Sequence, residues 1–251
     1  MSTRSLLVSE IFGPTFQGEG RQVGRRCGFL RLGTCNLHCT WCDTPYTWVF
    51  DTRHGQMHHS GTVYNPKLEM ERMDTEDVAD RLGALEVDLV IISGGEPMLQ
   101  QAGISDLMRE LRVFEYEIET AGTIPLTRDL ESLAVYGSRI VRFNVSPKLS
   151  HSGNEKELRY KPEVLQRLAT RFTSIFKFVV DPARWEDDFA EISEIAKDCQ
   201  IRPSQIYIMP LGTTAEEQLS GMADLAEPVL AWGWNLTPRL HTLIWGNERG
   251  R

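Results

Sequence analysis

Short apolar runs rich in β-branched and aromatic residues recur along the chain at Leu6–Phe12, Gly28–Leu32, Asp88–Ser93, Tyr116–Thr120, Ile140–Val145, Ile175–Val180 and Gln205–Pro210. Runs of that length and make-up read as strands. Between them lie helix-period segments at about 74–86, 100–113, 126–136, 162–172, 186–199 and 214–232. The first of these opens Asp74-Thr75-Glu76-Asp77, a start suited to capping and to the helix dipole. Strands alternating with helices of this length predict a parallel sheet with right-handed crossovers. Fewer than eight clean βα units are visible, so the expected architecture is α/β, a partial and splayed TIM-type βα barrel rather than a closed one. Ligands in such folds sit beyond the carboxyl ends of the strands. Cys35 follows one predicted strand, Gly94-Gly95-Glu96-Pro97 a second and Ser146-Pro147-Lys148 a third.

The stretch from Asp51 to Arg72 breaks the pattern: it is polar and aperiodic and carries His54, His58 and His59. It reads as an insertion or lid on one domain spanning 1–251, and as a solvated loop rather than a metal site, since no second spaced ligand pair accompanies the histidines. A chain of 251 residues buries roughly 70–75% of its unfolded surface and needs no disulfide staples. Its five cysteines are odd in number and clustered, unlike a secreted disulfide framework. The N-terminus lacks the apolar run of a signal peptide, and no stretch approaches the roughly 20 apolar residues of a membrane span. A reduced, cytoplasmic setting with no membrane contact is the expectation. The formal net charge of −8 speaks against a nucleic-acid surface, which wants a basic stripe.

Three of the cysteines fall within eight residues, Cys35-Asn-Leu-His-Cys39-Thr-Trp-Cys42. Three thiolates this close can hold three irons of a cubane and leave the fourth without a protein ligand. The same spacing admits a short helical stripe of packed thiols, or a zinc site completed by His38. Gly33-Thr34 and Asp43-Thr44-Pro45 confine any helix here to about two turns, an odd way to fill a core. Cys27 and Cys199 lie outside the run and read as buried thiols. The run Val90-Ile91-Ile92-Ser93-Gly94-Gly95-Glu96-Pro97 is an apolar strand ending in a glycine pair, which lets a ligand approach bare backbone, with Glu96 placed to reinforce an ammonium.

Together these motifs resemble the radical S-adenosylmethionine enzymes, in which a C-x3-C-x2-C run holds a 4Fe–4S cluster. There the open iron is chelated by the amino and carboxylate groups of S-adenosylmethionine, and a G-G-E-P-like turn receives the amino group. One electron cleaves the sulfonium to methionine and a 5′-deoxyadenosyl radical, which takes a hydrogen from substrate. Glu10-Ile-Phe-Gly-Pro-Thr-Phe-Gln17-Gly18-Glu19-Gly20, Phe29-Leu-Arg31, Cys42-Asp43-Thr44 and Leu240-His241-Thr-Leu-Ile-Trp-Gly-Asn247-Glu-Arg-Gly250 resemble the 7-carboxy-7-deazaguanine synthase family more narrowly. The likeness covers nearly the whole length and is weakest over 51–72 and 149–160.

The resemblance implies conversion of 6-carboxy-5,6,7,8-tetrahydropterin to 7-carboxy-7-deazaguanine with loss of ammonia, in a homodimer supplied by a one-electron donor such as flavodoxin. It implies Cys35, Cys39 and Cys42 as cluster ligands and Thr44 as a ligand of Mg2+. It places S-adenosylmethionine against Trp41, Cys42, Asp43, Gly95, Glu96, Glu119, Ser146, Pro147, Lys148 and Met209. It places the pterin against Phe16, Gln17, Gly18, Glu19, Arg31, Ser93, His241 and Arg251, with the C-terminal tail closing over it. Arg31 suits a bidentate pair with the substrate carboxylate. Plainer readings stand beside these: a helix-initiating charge for Glu19, a surface strand position for Arg31, a loop charge for Lys148 and a satisfied core histidine for His241. The compact first cysteine interval departs from relatives that carry an inserted loop there, and Met209-Pro-Leu-Gly212 lacks a polar residue that some relatives have. The rival readings are a glycyl-radical activating enzyme and a non-catalytic zinc-binding module.

Overall fold

In the computed structural model, which describes residues 5–251 other than Arg112, Phe114 and Asn247, nine strands form one sheet. They are β1 (Ser5–Phe16), β2 (Arg26–Leu32), β3 (Glu71–Asp74), β4 (Leu89–Gly94), β5 (Glu115–Thr120), β6 (Ile140–Val145), β7 (Ser174–Val180), β8 (Ile206–Pro210) and β9 (Asn235–Leu236). The helices, again in chain order, are α1 (Thr52–Met57), α2 (Pro66–Glu69), α3 (Thr75–Gly83), α4 (Gln101–Glu110), α5 (Arg128–Tyr136), α6 (Lys156–Arg159), α7 (Pro162–Arg171), α8 (Trp185–Asp198), α9 (Ala215–Ala231) and α10 (Leu240–Trp245). Every run read as a strand and every helix-period segment has its counterpart within a few residues. Of the segment read as 100–113, Arg112 lies outside the described residues, as does Asn247 of the C-terminal motif.

The sheet runs β3-β1-β2-β4-β5-β6-β7-β8-β9, and its two edge strands do not pair with each other, so it stays open. From β2 through β9 neighbours are parallel. The expectation of a wholly parallel sheet is corrected at one edge, where β1 pairs antiparallel with both β2 and β3. The link from β1 to β2, residues 17–25, is too short for the helical crossover that a parallel pair requires. β3 was not legible because only Met73 of its four residues is buried, as suits a short charged edge strand.

Alternation along the parallel strands sends two sets of side chains to opposite faces. Leu30, Leu32, Val90, Ile92, Tyr116, Ile118, Phe143, Phe176 and Ile208 join Leu82, Leu107, Leu168, Phe189 and Leu225 from the helices in the main core. On the other face Cys27, Phe29, Leu89 and Ile91, with Phe12 against them, form a smaller apolar floor. Cys27 and Cys199 are both fully buried. α3 begins where expected and has Glu76 and Asp77 in its first turn, but the Asp74 side chain makes no cap bond. The capping box falls instead at α9, where Thr214 Oγ1 accepts from the Glu217 N–H at 3.2 Å and Glu217 Oε2 accepts from the Thr214 N–H at 3.1 Å. No helix is long and apolar enough to cross a membrane, among the described residues.

Candidate active site

Beyond the carboxyl ends of β2, β4, β5 and β6 lies a cavity of about 920 Å3. The cysteine loop leaves β2 through Thr34, which adopts a left-handed φ of 69° and whose N–H donates to Thr47 O at 2.9 Å. The exit of β4 packs directly on that loop. A side chain on Gly94 would collide with the Leu32 carbonyl, and one on Gly95 with the Thr34 carbonyl. The N–H groups of Gly95 and Glu96 donate to Leu32 O at 3.0 Å and Thr34 O at 2.8 Å. The glycine pair is therefore demanded first by the approach of two backbones. Glu96 is 1% exposed, and its carboxylate accepts from Met98 N at 3.0 Å, Thr120 Oγ1 at 2.7 Å and Ala121 N at 2.8 Å. It ties the end of β4 to the end of β5, and it is not among the residues that line the cavity.

Cys35, Cys39 and Cys42 all face the cavity. Cys35 Sγ accepts from Leu37 N at 3.4 Å, Cys39 Sγ accepts from Asn154 Nδ2 at 3.3 Å, and Cys42 Sγ lies 3.6 Å from Thr44 Oγ1. Burial pushes all three thiols up, Cys39 to about 11 despite the opposing pull of Lys148. Left bare they keep their protons; a metal centre that takes thiolate supplies the missing positive charge. Soft donors from one loop, turned to one cavity and met by N–H groups aimed at sulfur, fit a cluster held by three cysteines. The zinc alternative is corrected: the His38 ring packs on Trp48 at 4.9 Å and His54 at 4.7 Å instead of joining the thiols. Among the described residues no three His, Cys, Asp or Glu side chains gather as a single-ion site.

Next to the thiols the wall is aromatic and cationic. Trp41 Nε1 donates to His151 Nδ1 at 3.1 Å, and the Lys148 ammonium sits 5.8 Å from the Trp41 ring centre and donates to Ser146 Oγ at 2.9 Å. Ser146 and Lys148 line the cavity; Pro147, buried between them, does not. Met209 is also off the wall, which passes through Leu211, Gly212 and Thr213 instead. Of the segment 209–212, then, Leu211 and Gly212 reach the cavity and Met209 does not.

Across the cavity stands a buried charge lattice. Glu19 pairs with Lys177 and, at 3.2 Å, with Arg239 Nε; Arg239 also pairs with Asp43 and donates to Gly212 O at 3.0 Å. Burial would raise the Glu19 carboxyl, but Lys177, Arg239 and His241 override it and hold it well below the carboxylate range. Burial would lower Lys177, but Glu19 and Glu119 hold it above its ordinary value. Burial dominates at His241 and keeps its imidazole down, against the pull of Glu19. Gln17, 1% exposed, donates from Nε2 to Glu117 Oε1 at 2.5 Å and Glu119 Oε1 at 3.1 Å, while Ser93 Oγ donates to Glu119 Oε2 at 2.6 Å.

Gly18 is not on the wall. It is a seat for α10: Leu240 N donates to its carbonyl at 2.8 Å, and any Cβ there would strike the His241 ring. Arg31 Nε donates to Glu10 Oε2 at 2.8 Å, and its guanidinium stands over the Phe12 and Tyr46 rings. Phe16 stacks on Trp245 at 6.3 Å. Glu248, Arg249, Gly250 and Arg251 line the cavity, as do His58, His59, Ser60 and Tyr64 from the polar stretch. Sequence reasoning missed Lys177, Arg239, Arg249, Tyr46, Glu117 and Asn154. Lys177 had a signal, a charge inside the apolar run Ser-Ile-Phe-Lys-Phe-Val-Val, and Arg249 lay inside the C-terminal motif; Arg239 and Asn154 had none.

The family model of the radical SAM superfamily matches residues 31–226. Over 252 residues the chain is 32% identical to a 7-carboxy-7-deazaguanine synthase of Pyrobaculum aerophilum, covering 100% of this chain and 99% of that one. It is 31% identical to the enzyme of the same name from Rhodopirellula baltica, covering 99% and 90%, and 28% identical to that of Bacillus subtilis, covering 98% and 99%. The solved structure of QueE from Escherichia coli superposes with a TM-score of 0.64 at 23% identity over 93% of each chain, a likeness of fold. A thiol triad at the carboxyl ends of a half-open parallel barrel, matched along the full length by these relatives, places the chain in the radical SAM superfamily and, within it, in the 7-carboxy-7-deazaguanine synthase family.

Proposed function

We propose that the chain is a carbon–nitrogen lyase that converts 6-carboxy-5,6,7,8-tetrahydropterin to 7-carboxy-7-deazaguanine with loss of ammonia. The observation that carries this reading is one cavity shared by the three thiols and the Glu19–Lys177–Arg239–Asp43 lattice, with the chain's own tail along its rim. When bound, the 4Fe–4S cluster and S-adenosylmethionine supply hydrogen-atom abstraction; the protein supplies position and shielding. Cys35, Cys39 and Cys42 would hold the cluster, and Trp41, Ser146 and Lys148 would form the nucleoside side. Glu19, locked as an anion, offers acceptors to the N–H edge of a pterin, and Glu119, bonded to Ser93 and Gln17, lies on the same cavity wall, where the family resemblance gives it to S-adenosylmethionine. Arg31 offers the carboxylate partner, and His241, kept neutral, can donate or accept at the ring. Thr44 is 9% exposed and brings a hard oxygen to the same wall. It would hold Mg2+, with the remaining ligands coming from substrate and water.

The tail favours a small substrate over the protein partner of a glycyl-radical activating enzyme, which needs an open mouth. On this reading one domain spans 1–251 and works as a cytoplasmic homodimer, reduced by a one-electron carrier such as flavodoxin. Anaerobically reconstituted protein given dithionite, S-adenosylmethionine, Mg2+ and the carboxytetrahydropterin should yield a product with the mass of 7-carboxy-7-deazaguanine. Cofactor cleavage with no deazaguanine would sink the substrate assignment.

A further inference from the structure

We propose that Asn154 is a positioning residue that raises the reduction potential of the cluster held by Cys35, Cys39 and Cys42, by donating its side-chain N–H to Cys39 Sγ. The segment that carries it, 149–160, is where the family resemblance is weakest, yet it docks on the cysteine loop at three points. Thr40 N donates to Ser152 O at 3.0 Å, His38 N donates to Asn154 Oδ1 at 2.8 Å, and Asn154 Nδ2 donates to Cys39 Sγ at 3.3 Å. Gly153 between them has a φ of +81°, and a Cβ there would press into the Thr40 methyl at 2.6 Å. Only a glycine lets the turn lie this close.

The geometry also fixes which way the amide faces. An N–H from the main chain of His38 can only meet the oxygen, so the nitrogen is left pointing at sulfur. Leu37 donates to Cys35 from the main chain, a bond that side-chain substitutions other than proline leave in place. The Asn154 bond comes from a side chain, and there this sequence can set the cluster's electronics. Taking up one electron makes the cluster and its sulfurs more negative, and an N–H dipole aimed at a ligand sulfur stabilises that state more than the oxidised one.

The inference rests on the cluster, not on the identity of the pterin, so it is tested without substrate. Holoprotein reconstituted anaerobically is titrated with dithionite through mediators, with the one-electron couple followed by electron paramagnetic resonance and iron per chain measured in parallel. Asn154→Ala should lower the ratio of reduced to oxidised cluster at a fixed potential by about threefold to tenfold, a tenfold change being 59 mV for one electron. Asn154→Asp keeps the acceptor for His38 N–H and exchanges the donor for an anionic oxygen. It should load iron like the parent and fall further than the alanine variant. If Asn154→Asp loads fully and titrates with the parent, the proposal is overturned and Asn154 only clamps the loop, whether or not Asn154→Ala still loads. A failed lyase assay alongside a shifted potential would count against the substrate assignment alone.

Discussion

Lys177 occupies the centre of β7, where all seven residues are buried. An ammonium there costs several kcal/mol unless it is paired and hydrogen-bonded. Glu19 supplies the pair from the far end of the chain, and Arg239 and Asp43 extend it. Beneath them Glu117 is 2% exposed, and its carboxyl is pushed up to about 7 by burial and by Glu119, against the Gln17 amide. In the unfolded chain it titrates near 4.5. Between those two values the folded chain keeps a proton that the unfolded chain has released, so stability from this group falls as pH rises through that window and is level above it. Glu117→Gln cannot lose that proton. Urea denaturation at pH 4.5 and pH 7.5 should show the variant gaining on the parent with rising pH, by on the order of 3 kcal/mol across the window. Parallel pH curves would show that Glu117 titrates normally.

α10 has six residues, too few to be stable in isolation. Its place is set by what it touches: Gly18 beneath His241, Phe16 beside Trp245, and the carboxyl-terminal residues beyond. Arg249 stacks over Tyr46 at 3.9 Å and pairs with Glu10 and, at 2.6 Å, with Glu69 beside it. Glu10 is the same carboxylate that holds Arg31. The tail, β1 and the polar stretch are thus tied at one point on the cavity rim. Arg249→Ala should loosen the tail, with KM for the pterin rising about tenfold while kcat changes little, the signature of lost binding common to ground and transition states. Protease should also remove the tail faster in the unloaded chain. An unchanged KM together with unchanged cleavage would show that the tail holds its place without Arg249. The polar stretch, read as a lid or insertion, is bonded to the cysteine loop: His58 Nε2 meets Cys42 O at 2.8 Å and His59 N donates to Thr40 O at 2.9 Å. No periodicity announces it, because most of its residues are exposed and no regular face is buried.

At the scale of the molecule, the helices cover one face of the sheet and leave the carboxyl ends of the strands open to a cavity that the loops and tail then narrow. The net charge of −8 acts at this scale too. A chain with that balance and a cavity sized for small molecules should act on a free pterin and leave polynucleotides alone. Transfer RNA at micromolar concentration and physiological salt should give no mobility shift with the loaded protein. A shift that persists as salt is raised would overturn that view.

Strand and helix positions were legible because burial imposes a period on the sequence, and each local run carries its own signal. The thiol triad was legible because its ligands are close in the chain. The short edge strand β3 was not, since it buries only Met73, and the antiparallel pairing of β1 was not, since a strand's own pattern carries no direction for its neighbour. Glu19 with Lys177, Glu10 with Arg249 and Asn154 with Cys39 are pairs separated by most or much of the chain. Sequence by itself determined the layered α/β core and the cofactor chemistry its cysteines can support. Only the tertiary structure decided which charges meet in the cavity, that Glu96 braces the wall and that Gly18 seats a helix. The physical reason is that a charge reveals its role through its partner, and only folding chooses the partner.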